Sequence, residues 1–482
     1  MMGHAEDAAA EAGAAGQYVG LDDPIFSVPL RIRRVNVVGL SRTRRSVIDA
    51  ELAEARRGRT VREVSTGIMN ALKSLKEVDS FEFVEVYCDV AANRRKKRGR
   101  PGQAELTDIT VKVREKRMVQ LKAETYVQGT GSEGGVETAL SLNNPVGYTE
   151  KINAAWSYGT KSSASARLEV QKPRFRGLNA SLDVSASHST VSRAIYSSYD
   201  EKIQGAQAVL RHNSGRHEIG AGCFWRDVMP VRSASNQYEF AASGLILAQA
   251  KPSLKNSIFY TFTQDRRDNP FGPSRGSFLQ FRTEFAGMGG DAHFAKGEVK
   301  VQQFLPLFAD VISGIALGFT FQAGVLCPLA TPRSASPDKL PGVGASTHIC
   351  DRFWLGGPLD LRGFNHKGAG PRTSPNRPGA QGGDSLGGDA TWRLGTNLTL
   401  PFPHGLLHAA GVRCHLYANA GNLCAWETSF RSLVHGMRAA VGAGIVFPTA
   451  VGRIEANYSF VLRANSRDQQ KRFQLGLGVD FT

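Results

Sequence analysis

From residue 118 to the C-terminus, apolar and polar residues alternate with a period of two in many short runs. In the run 454–462, for example, Ile454 and Tyr458 lie on one parity and Glu455 lies on the other. Successive side chains of a β-strand point to opposite faces, so each run predicts a strand with one apolar face and one polar or small face. We count 16 or 17 such runs of about 9–14 residues. Because even strand numbers predominate in membrane barrels, we predict sixteen strands.

Two architectures fit this alternation. A soluble sandwich turns its apolar faces inward, whereas a membrane barrel turns them toward lipid and its polar faces toward a wet lumen. The runs have about the length that a tilted strand needs to cross a bilayer, and no helical segments remain to cover so large a sheet. Unpaired backbone groups are costly in hydrocarbon, so a spanning sheet must close on itself. We therefore predict a membrane β-barrel of about sixteen antiparallel strands over residues 118–482.

The region before the barrel has a mixed pattern that predicts one small α/β domain over residues 26–117, preceded by a flexible tail over residues 1–25. Ser41 or Thr43 is placed to cap the first helix. The helices show apolar residues at helical spacing, and the strands alternate. The predicted elements are, in order, a strand over 30–38, a helix near 47–52, a helix over 61–78, and strands over 81–90 and 104–116.

Composition narrows the class of protein without deciding it. The chain has 482 residues and a formal net charge of +16, which suits nucleic acid, acidic lipid headgroups or a basic cavity, and equally a solvated surface. No run reaches the roughly 18 uncharged apolar residues of a membrane helix. No secretory signal is visible, and the acidic tail has the wrong charge for a mitochondrial presequence. The six cysteines form no C-x-x-C pair, so neither a disulfide framework nor a zinc site is expected.

A basic hairpin joins the last two strands of the α/β domain, with six basic residues between Arg94 and Arg100. Such a run fits a nuclear localisation or nucleic-acid patch, or a solvated hairpin tip. No aromatic residues interleave for base stacking, so we predict a solvated tip and no nucleic-acid partner. Contact with acidic partners or lipid headgroups stays open.

The chain shows no catalytic motif. Gly129, Gly131 and Gly134 match G-x-G-x-x-G, but strand-like residues lie on both sides, which indicates a hairpin turn rather than a dinucleotide site. Nucleophile-elbow, zinc-protease and phosphate-loop motifs are absent from the sequence. We therefore predict that the protein is not an enzyme and binds no cofactor or metal.

A long loop between two predicted strands carries the most distinctive chemistry. Its segment 351–364 is unusually apolar and carries Arg362 between Leu361 and Gly363, with Phe364 following. If the loop folds into the barrel, the guanidinium must find partners there. Bulky side chains would pack on the inner wall, and the glycines would permit a tight backbone course. An external loop with a solvated arginine is the alternative. The glycines in question are Gly356, Gly357 and Gly363.

The motifs of this loop resemble the signature of the bacterial surface-antigen superfamily of outer-membrane protein insertases. The α/β region resembles the polypeptide-transport-associated (POTRA) domain of that superfamily in element order. Together, the motifs are similar to the core barrel subunits of the mitochondrial sorting and assembly machinery (SAM). A single POTRA-like unit favours this branch, because bacterial members typically carry several behind a signal peptide. The matching segments, in chain order, are 351–358, 361–364, 386–389, 419–424 and 442–446.

The resemblance implies that the protein inserts β-barrel precursor proteins into the mitochondrial outer membrane by templating strands at a lateral seam. It implies precursor proteins, other SAM-complex subunits and membrane lipids as partners, and a POTRA-like domain facing the intermembrane space. The alternatives are a passive outer-membrane pore, or a bacterial or plastid member of the same superfamily.

The resemblance also implies roles for residues near the loop and the C-terminus. In relatives the loop arginine bonds acids on the barrel wall, but here the corresponding wall motif begins with Asn419. The expected partners of Arg362 are therefore Asp389, an asparagine oxygen such as that of Asn419, or backbone carbonyls. The last strand matches the signal that marks mitochondrial barrels for insertion, and its glycines are consistent with a weak seam. The matching positions of that signal are Gln474, Gly476, Val479 and Phe481.

Overall fold

The computed structural model describes most of the chain and divides it into two compact units. The first comprises Met1–Val119 with Leu142–Lys151, and the second comprises the remainder. The predicted tail 1–25, the basic hairpin 94–100 and the C-terminal positions Val479 and Phe481 lie outside the described residues. The described ranges are 27–90, 105–128, 133–160, 163–212, 215–232, 240–308, 314–329, 347–373, 383–403, 405–425, 434–449 and 452–478.

The first unit is a three-stranded sheet packed against helices. β1 runs parallel to the central strand β3, and β2 runs antiparallel to it. The long helix α3 buries Val64, Ile68 and Leu75 against Ile109 and Val111 of β3, which forms one hydrophobic core. The bounds agree with the predicted elements within a residue or two, except that the first helix is split. They are β1 (Leu30–Val38), α1 (Arg45–Glu51), α2 (Ala53–Arg57), α3 (Val61–Glu77), β2 (Phe81–Val90) and β3 (Glu105–Glu115).

The predicted cap of the first helix is wrong. Arg44 is the N-cap of α1 and makes no side-chain cap hydrogen bond. Ser41 and Thr43 instead bind the carboxylate of Glu115, with the Ser41 hydroxyl donating at 2.7 Å and the Thr43 backbone N–H at 2.8 Å. Burial raises the pKa of Glu115, but the hydrogen bonds from Ser41 and Thr43 outweigh burial and lower it to about 2. The segment therefore holds an ionised carboxylate rather than a helix end.

The second unit is a single 16-stranded antiparallel sheet, which confirms the predicted strand number. Consecutive strands are neighbours throughout, so β4 and β19 end the strand order and flank the line at which the barrel closes. Apart from the last, the strands have 9–14 residues. Their bounds are β4 (Val119–Gln128), β5 (Glu133–Asn143), β6 (Lys151–Gly159), β7 (Ala164–Lys172), β8 (Ala180–Ser192), β9 (Tyr199–His212), β10 (His217–Pro230), β11 (Ser253–Asp265), β12 (Gly276–Ala286), β13 (Phe294–Pro306), β14 (Ala316–Pro328), β15 (Ala390–Pro401), β16 (Arg413–Cys424), β17 (Arg438–Thr449), β18 (Gly452–Arg463) and β19 (Phe473–Gly478).

Helices are few in the second unit and lie between strands. Those with both ends in the described ranges are α4 (Gly244–Gln249) and α5 (Gly405–Ala409), with short 3-10 turns at Phe175–Gly177 and Ile349–Asp351. Within the described ranges, no helix of the chain combines the length and apolar character needed to cross a bilayer.

The burial pattern decides between sandwich and barrel. On β18, Tyr458 and Phe460 are exposed, whereas the alternating Glu455, Asn457 and Ser459 are fully buried. β19 repeats this pattern, with apolar residues exposed and polar or glycine residues buried. A soluble sandwich would show the reverse, because its apolar faces form the core. The sheet is therefore a membrane barrel whose outer face is apolar and whose inner face is polar.

Candidate functional site

Residues 347–373, in the loop between β14 and β15, fold inward and are buried against the inner wall of the barrel. We call them the luminal loop. Leu355, Leu361 and Phe364 are almost completely buried and pack with Leu423 of β16 and Ala440 of β17. The predicted luminal position, rather than the external alternative, is therefore the one observed.

Glycines give the luminal loop its course. Gly356 and Gly363 have φ angles of +113° and +92°, in the left-handed region that other residues rarely adopt. Gly357 also has a positive φ, of +136°. A Cβ at Gly363 would lie 3.0 Å from the Cβ of Ala440, so this glycine also brings the loop backbone close to β17.

Arg362 pairs with Glu455, an acid on the inner face of β18. Its NH2 atom lies 2.8 Å from Glu455 Oε2, and the two residues are 5% and 0% exposed. The guanidinium also lies over the ring of Tyr417, 4.9 Å from the centroid, which adds a cation–π contact. Two buried charges in such a site stabilise each other only as a pair, because either one alone would be desolvated without compensation.

Glu455 is shared among several donors of the wall. Arg453 Nε donates to Glu455 Oε1 at 2.6 Å, and Asn457 Nδ2 donates to Oε2 at 3.0 Å. The Asn457 side-chain oxygen lies 2.7 Å from Nε2 of His415 on β16. The luminal loop is thus held by a network that spans β16 and β18.

The residues after Arg362 join the luminal loop to the last strand. The Gly363 N–H donates to the side-chain oxygen of Gln474 at 2.8 Å, and the Gln474 amide donates to the carbonyl of Phe364 at 2.7 Å. Lys471 N–H donates to the Gly363 carbonyl at 2.9 Å. Gln474, a predicted site residue, therefore accepts one hydrogen bond from the motif 361–364 and donates one to it.

Gly476 has a role that the sequence does not reveal. It lies directly across from Glu455 in the β18–β19 register. A Cβ at Gly476 would lie 3.0 Å from Pro358 Cβ and 3.3 Å from Leu359 Cδ2. The missing side chain therefore makes room for the luminal loop to lie against β19.

The expectation for the partners of Arg362 needs a correction. The acid paired with Arg362 is Glu455, whereas the Asp389 carboxylate accepts a 2.6 Å hydrogen bond from Thr347 at the start of the luminal loop. Because residue 389 immediately precedes β15, this hydrogen bond joins the start of the luminal loop to the start of β15. Asn419 does contact Arg362, but through the backbone: its side-chain oxygen accepts from the Arg362 N–H at 2.5 Å, and its amide donates to the Ala440 carbonyl at 2.7 Å.

Glu455 is the functional residue that sequence reasoning missed. The alternation placed it on the polar parity of its strand, together with Arg453, Asn457 and Ser459. The feature of the sequence that could have revealed it is the spacing of Arg453 and Glu455. They are two residues apart, so both side chains face the lumen, and charges on the inner wall of a barrel need partners. Which loop residue would meet them depends on the fold of the loop and could not be predicted.

Fold and site define a class: a sixteen-stranded membrane barrel with a luminal arginine loop and one small POTRA-like α/β domain. The Omp85 superfamily domain matches residues 144–481, and the chain belongs to this superfamily as a SAM50-like member. A SAM50-like protein of Schizosaccharomyces pombe is 27% identical over 94% of this chain and 91% of its own length. The human sorting and assembly machinery component 50 homolog is 28% identical over 93% of this chain and 90% of its own length.

Solved structures share the fold. The crystal structure of BamA from Haemophilus ducreyi lacking POTRA domains 1–3 matches with a TM-score of 0.71 and 16% identity, covering 93% of this chain and 84% of that one. CdiB from Acinetobacter baumannii matches with a TM-score of 0.51 and 12% identity, covering 93% and 73%.

Proposed function

We propose that this protein inserts and assembles β-barrel precursor proteins into the mitochondrial outer membrane by templating client strands at the seam between β4 and β19. The observation that carries the proposal is the attachment of the luminal loop to β18 and β19, next to the line of closure. A strand edge with unpaired backbone groups is a template for another strand. A loop that holds one side of the seam can therefore fix the position of that template.

One strand at the seam, β4, differs from β18 in a way that supports easy opening. The described part of β19, Phe473–Gly478, pairs with β18. On β4, all side chains over 121–125 are exposed, including those of both parities. On β18, by contrast, every second side chain over 453–459 is buried. Fewer contacts at the seam mean a smaller cost of separating its two strands.

The proposal includes partners and orientation. The partners are β-barrel precursors, other SAM-complex subunits and membrane lipids, and the POTRA-like domain faces the intermembrane space. We also propose the domain bounds 26–117 and 118–482, with residues 1–25 as a tail, and a C-terminal signal at Gln474, Gly476, Val479 and Phe481. The mechanism is strand pairing, so it requires no catalytic residue and no cofactor.

A disulfide lock tests the proposal. Cysteine pairs are scanned along 121–125 of β4 and 473–478 of β19, in a protein whose six native cysteines are replaced. Oxidation of a pair that crosslinks should block precursor insertion into vesicles, and reduction should restore it. The matched control is the pair Leu279→Cys and Val301→Cys, which lie opposite each other on β12 and β13. Insertion that continues with the seam locked would contradict the proposal.

A passive pore is the second candidate, because it would share the polar inner face. Arg362→Ala separates the two functions, since it releases the luminal loop from Glu455. A pore should respond mainly with higher conductance across a planar bilayer. An insertase should lose precursor insertion.

A further inference from the structure

The start of the luminal loop carries a second buried charge, Asp351. Arg226 NH1 donates to both carboxylate oxygens of Asp351, at 2.7 and 2.8 Å, and the two residues are 3% and 5% exposed. Lys255 Nζ lies 3.3 Å from Asp351 Oδ1, and Lys296 Nζ donates to the Asp351 carbonyl at 3.1 Å. Three wall cations from β10, β11 and β13 thus converge on one loop residue.

This contact mirrors the Arg362 site with the charges exchanged. At Arg362 the loop supplies the cation and the wall supplies Glu455, whereas at Asp351 the loop supplies the anion and the wall supplies Arg226. Each pair is buried, so each is held in place by the cost of separating its partners. The loop charge is positive at one site and negative at the other. If the two ends of the segment changed places, Arg362 would therefore face Arg226, and Asp351 would face Glu455.

The two attachment sites lie on opposite sides of the barrel. Arg226 is on β10 and Glu455 is on β18, and these strands stand eight apart in the order of the 16-stranded sheet. In a closed barrel of sixteen strands, a separation of eight is half of the circumference. The segment 351–362 therefore joins strands half a circumference apart, and on the way Phe353 contacts Lys296 of β13 and Asp360 pairs with Arg393 of β15.

The segment 351–362 has little slack. Phe353 N–H donates to the Gly388 carbonyl at 2.8 Å, and Ala369 N–H donates to the Leu355 carbonyl at 3.1 Å. Beyond them, Gly357 N–H donates to the Leu361 carbonyl at 3.2 Å, which closes the turn before Arg362. A hydrogen-bonded and buried segment transmits a displacement at one end to the other, because packed interiors deform little.

We propose that Asp351 and Arg226 form a second anchor, and that this anchor positions Arg362 and the motif 361–364 against β18 and β19. The luminal loop is then a brace between opposite walls, and the wall at β10 influences the strand next to the seam. The consequence for precursor insertion rests on the proposed function, whereas the brace itself does not.

Hydrogen–deuterium exchange of the full chain in lipid nanodiscs tests the brace. Asp351→Asn and Arg226→Gln should each speed amide exchange over 361–366 and 469–474 by about tenfold or more, because they free the distant end of the loop. Asp351→Glu keeps the charge and should stay within about threefold of the wild-type rate. The matched control is Asp265→Asn. It removes an acid that is paired with Arg267 at 2.7 Å, and this pair is not part of the luminal loop. Its exchange over 361–366 should not change.

The double variant Arg226→Gln with Asp351→Asn covers the case in which the single variants fail to fold. It removes both charges of the Arg226–Asp351 pair and leaves Lys255 paired with Glu284 at 2.6 Å, yet it lacks the anchor, so exchange over 361–366 should still be faster. Faster exchange confined to 347–353 would overturn the proposal, because the two ends would then be independent. Insertion is measured on the same samples. Unchanged insertion together with faster exchange over 361–366 would support the brace and contradict its part in the proposed function.

Discussion

Replacing Glu455 by glutamine should destabilise the barrel more than replacing Arg362. Glu455 compensates two cations, with Arg362 at 2.8 Å and Arg453 at 2.6 Å. Removing one partner of a buried ion pair costs about 3–5 kcal/mol. Glu455→Gln removes the negative charge that both guanidinium groups face. Arg362→Gln leaves Glu455 bound to Arg453 and Asn457, so we expect a smaller cost of about 1–3 kcal/mol.

Urea unfolding of the full chain in lipid vesicles, followed by tryptophan fluorescence, measures these free energies from shifted midpoints at unchanged slope. The matched control is Glu298→Gln. Glu298 is 34% exposed and lies 3.4 Å from Lys296, so its loss should cost less than about 1 kcal/mol. The reasoning is refuted if Glu455→Gln unfolds within about 1 kcal/mol of wild type, or if Arg362→Gln costs more.

Three further predictions concern single residues. Gly476→Val should displace the luminal loop from β19 and increase protease cleavage between 354 and 364, whereas Gly297→Val, at a glycine with open space around it, should not; equal cleavage would contradict the packing role. Gly363→Ala should cost about 1–3 kcal/mol in the same urea assay, because of its positive φ and the 3.0 Å approach to Ala440; a neutral change would contradict it. Glu115 has a folded pKa of about 2, below its ordinary 4.5, so its stabilisation is present above pH 4.5 and is lost as pH falls toward 2. Pepsin should therefore cleave Glu115→Gln faster than wild type over 105–115 at pH 4.5, with the ratio approaching one near pH 2; a ratio independent of pH would refute the assignment.

Much of the fold could be predicted because strand alternation is a local property. The run 454–462 shows its two faces without knowledge of its neighbours, and repetition of such runs favours a closed barrel over a helical fold. The luminal position of Arg362 followed from the apolar character of its loop together with the family resemblance. Local patterns therefore carried the architecture and the identity of the loop.

The contacts inside the barrel could not be predicted in the same way. The pairing of Arg362 with Glu455 joins residues 93 positions apart and depends on the strand register and the loop conformation. The role of Gly476 depends on where Pro358 lies. Ser41 and Thr43 have the chemistry of helix caps, but the Ser41 hydroxyl and the Thr43 backbone N–H donate to Glu115, which lies on a distant strand. Tertiary contacts of this kind override local preference.

Site-specific photo-crosslinking to a stalled precursor tests templating at the seam most directly. A crosslinking residue is placed at Leu121 on β4, at Leu477 on β19, or at Ile258 on β11, all of which are exposed on their strands. The account predicts that the terminal strands of the precursor crosslink to Leu121 and Leu477, and that Ile258, far from the seam in the strand order, gives no product. Equal crosslinking at all three positions, or none at β4 and β19, would contradict it.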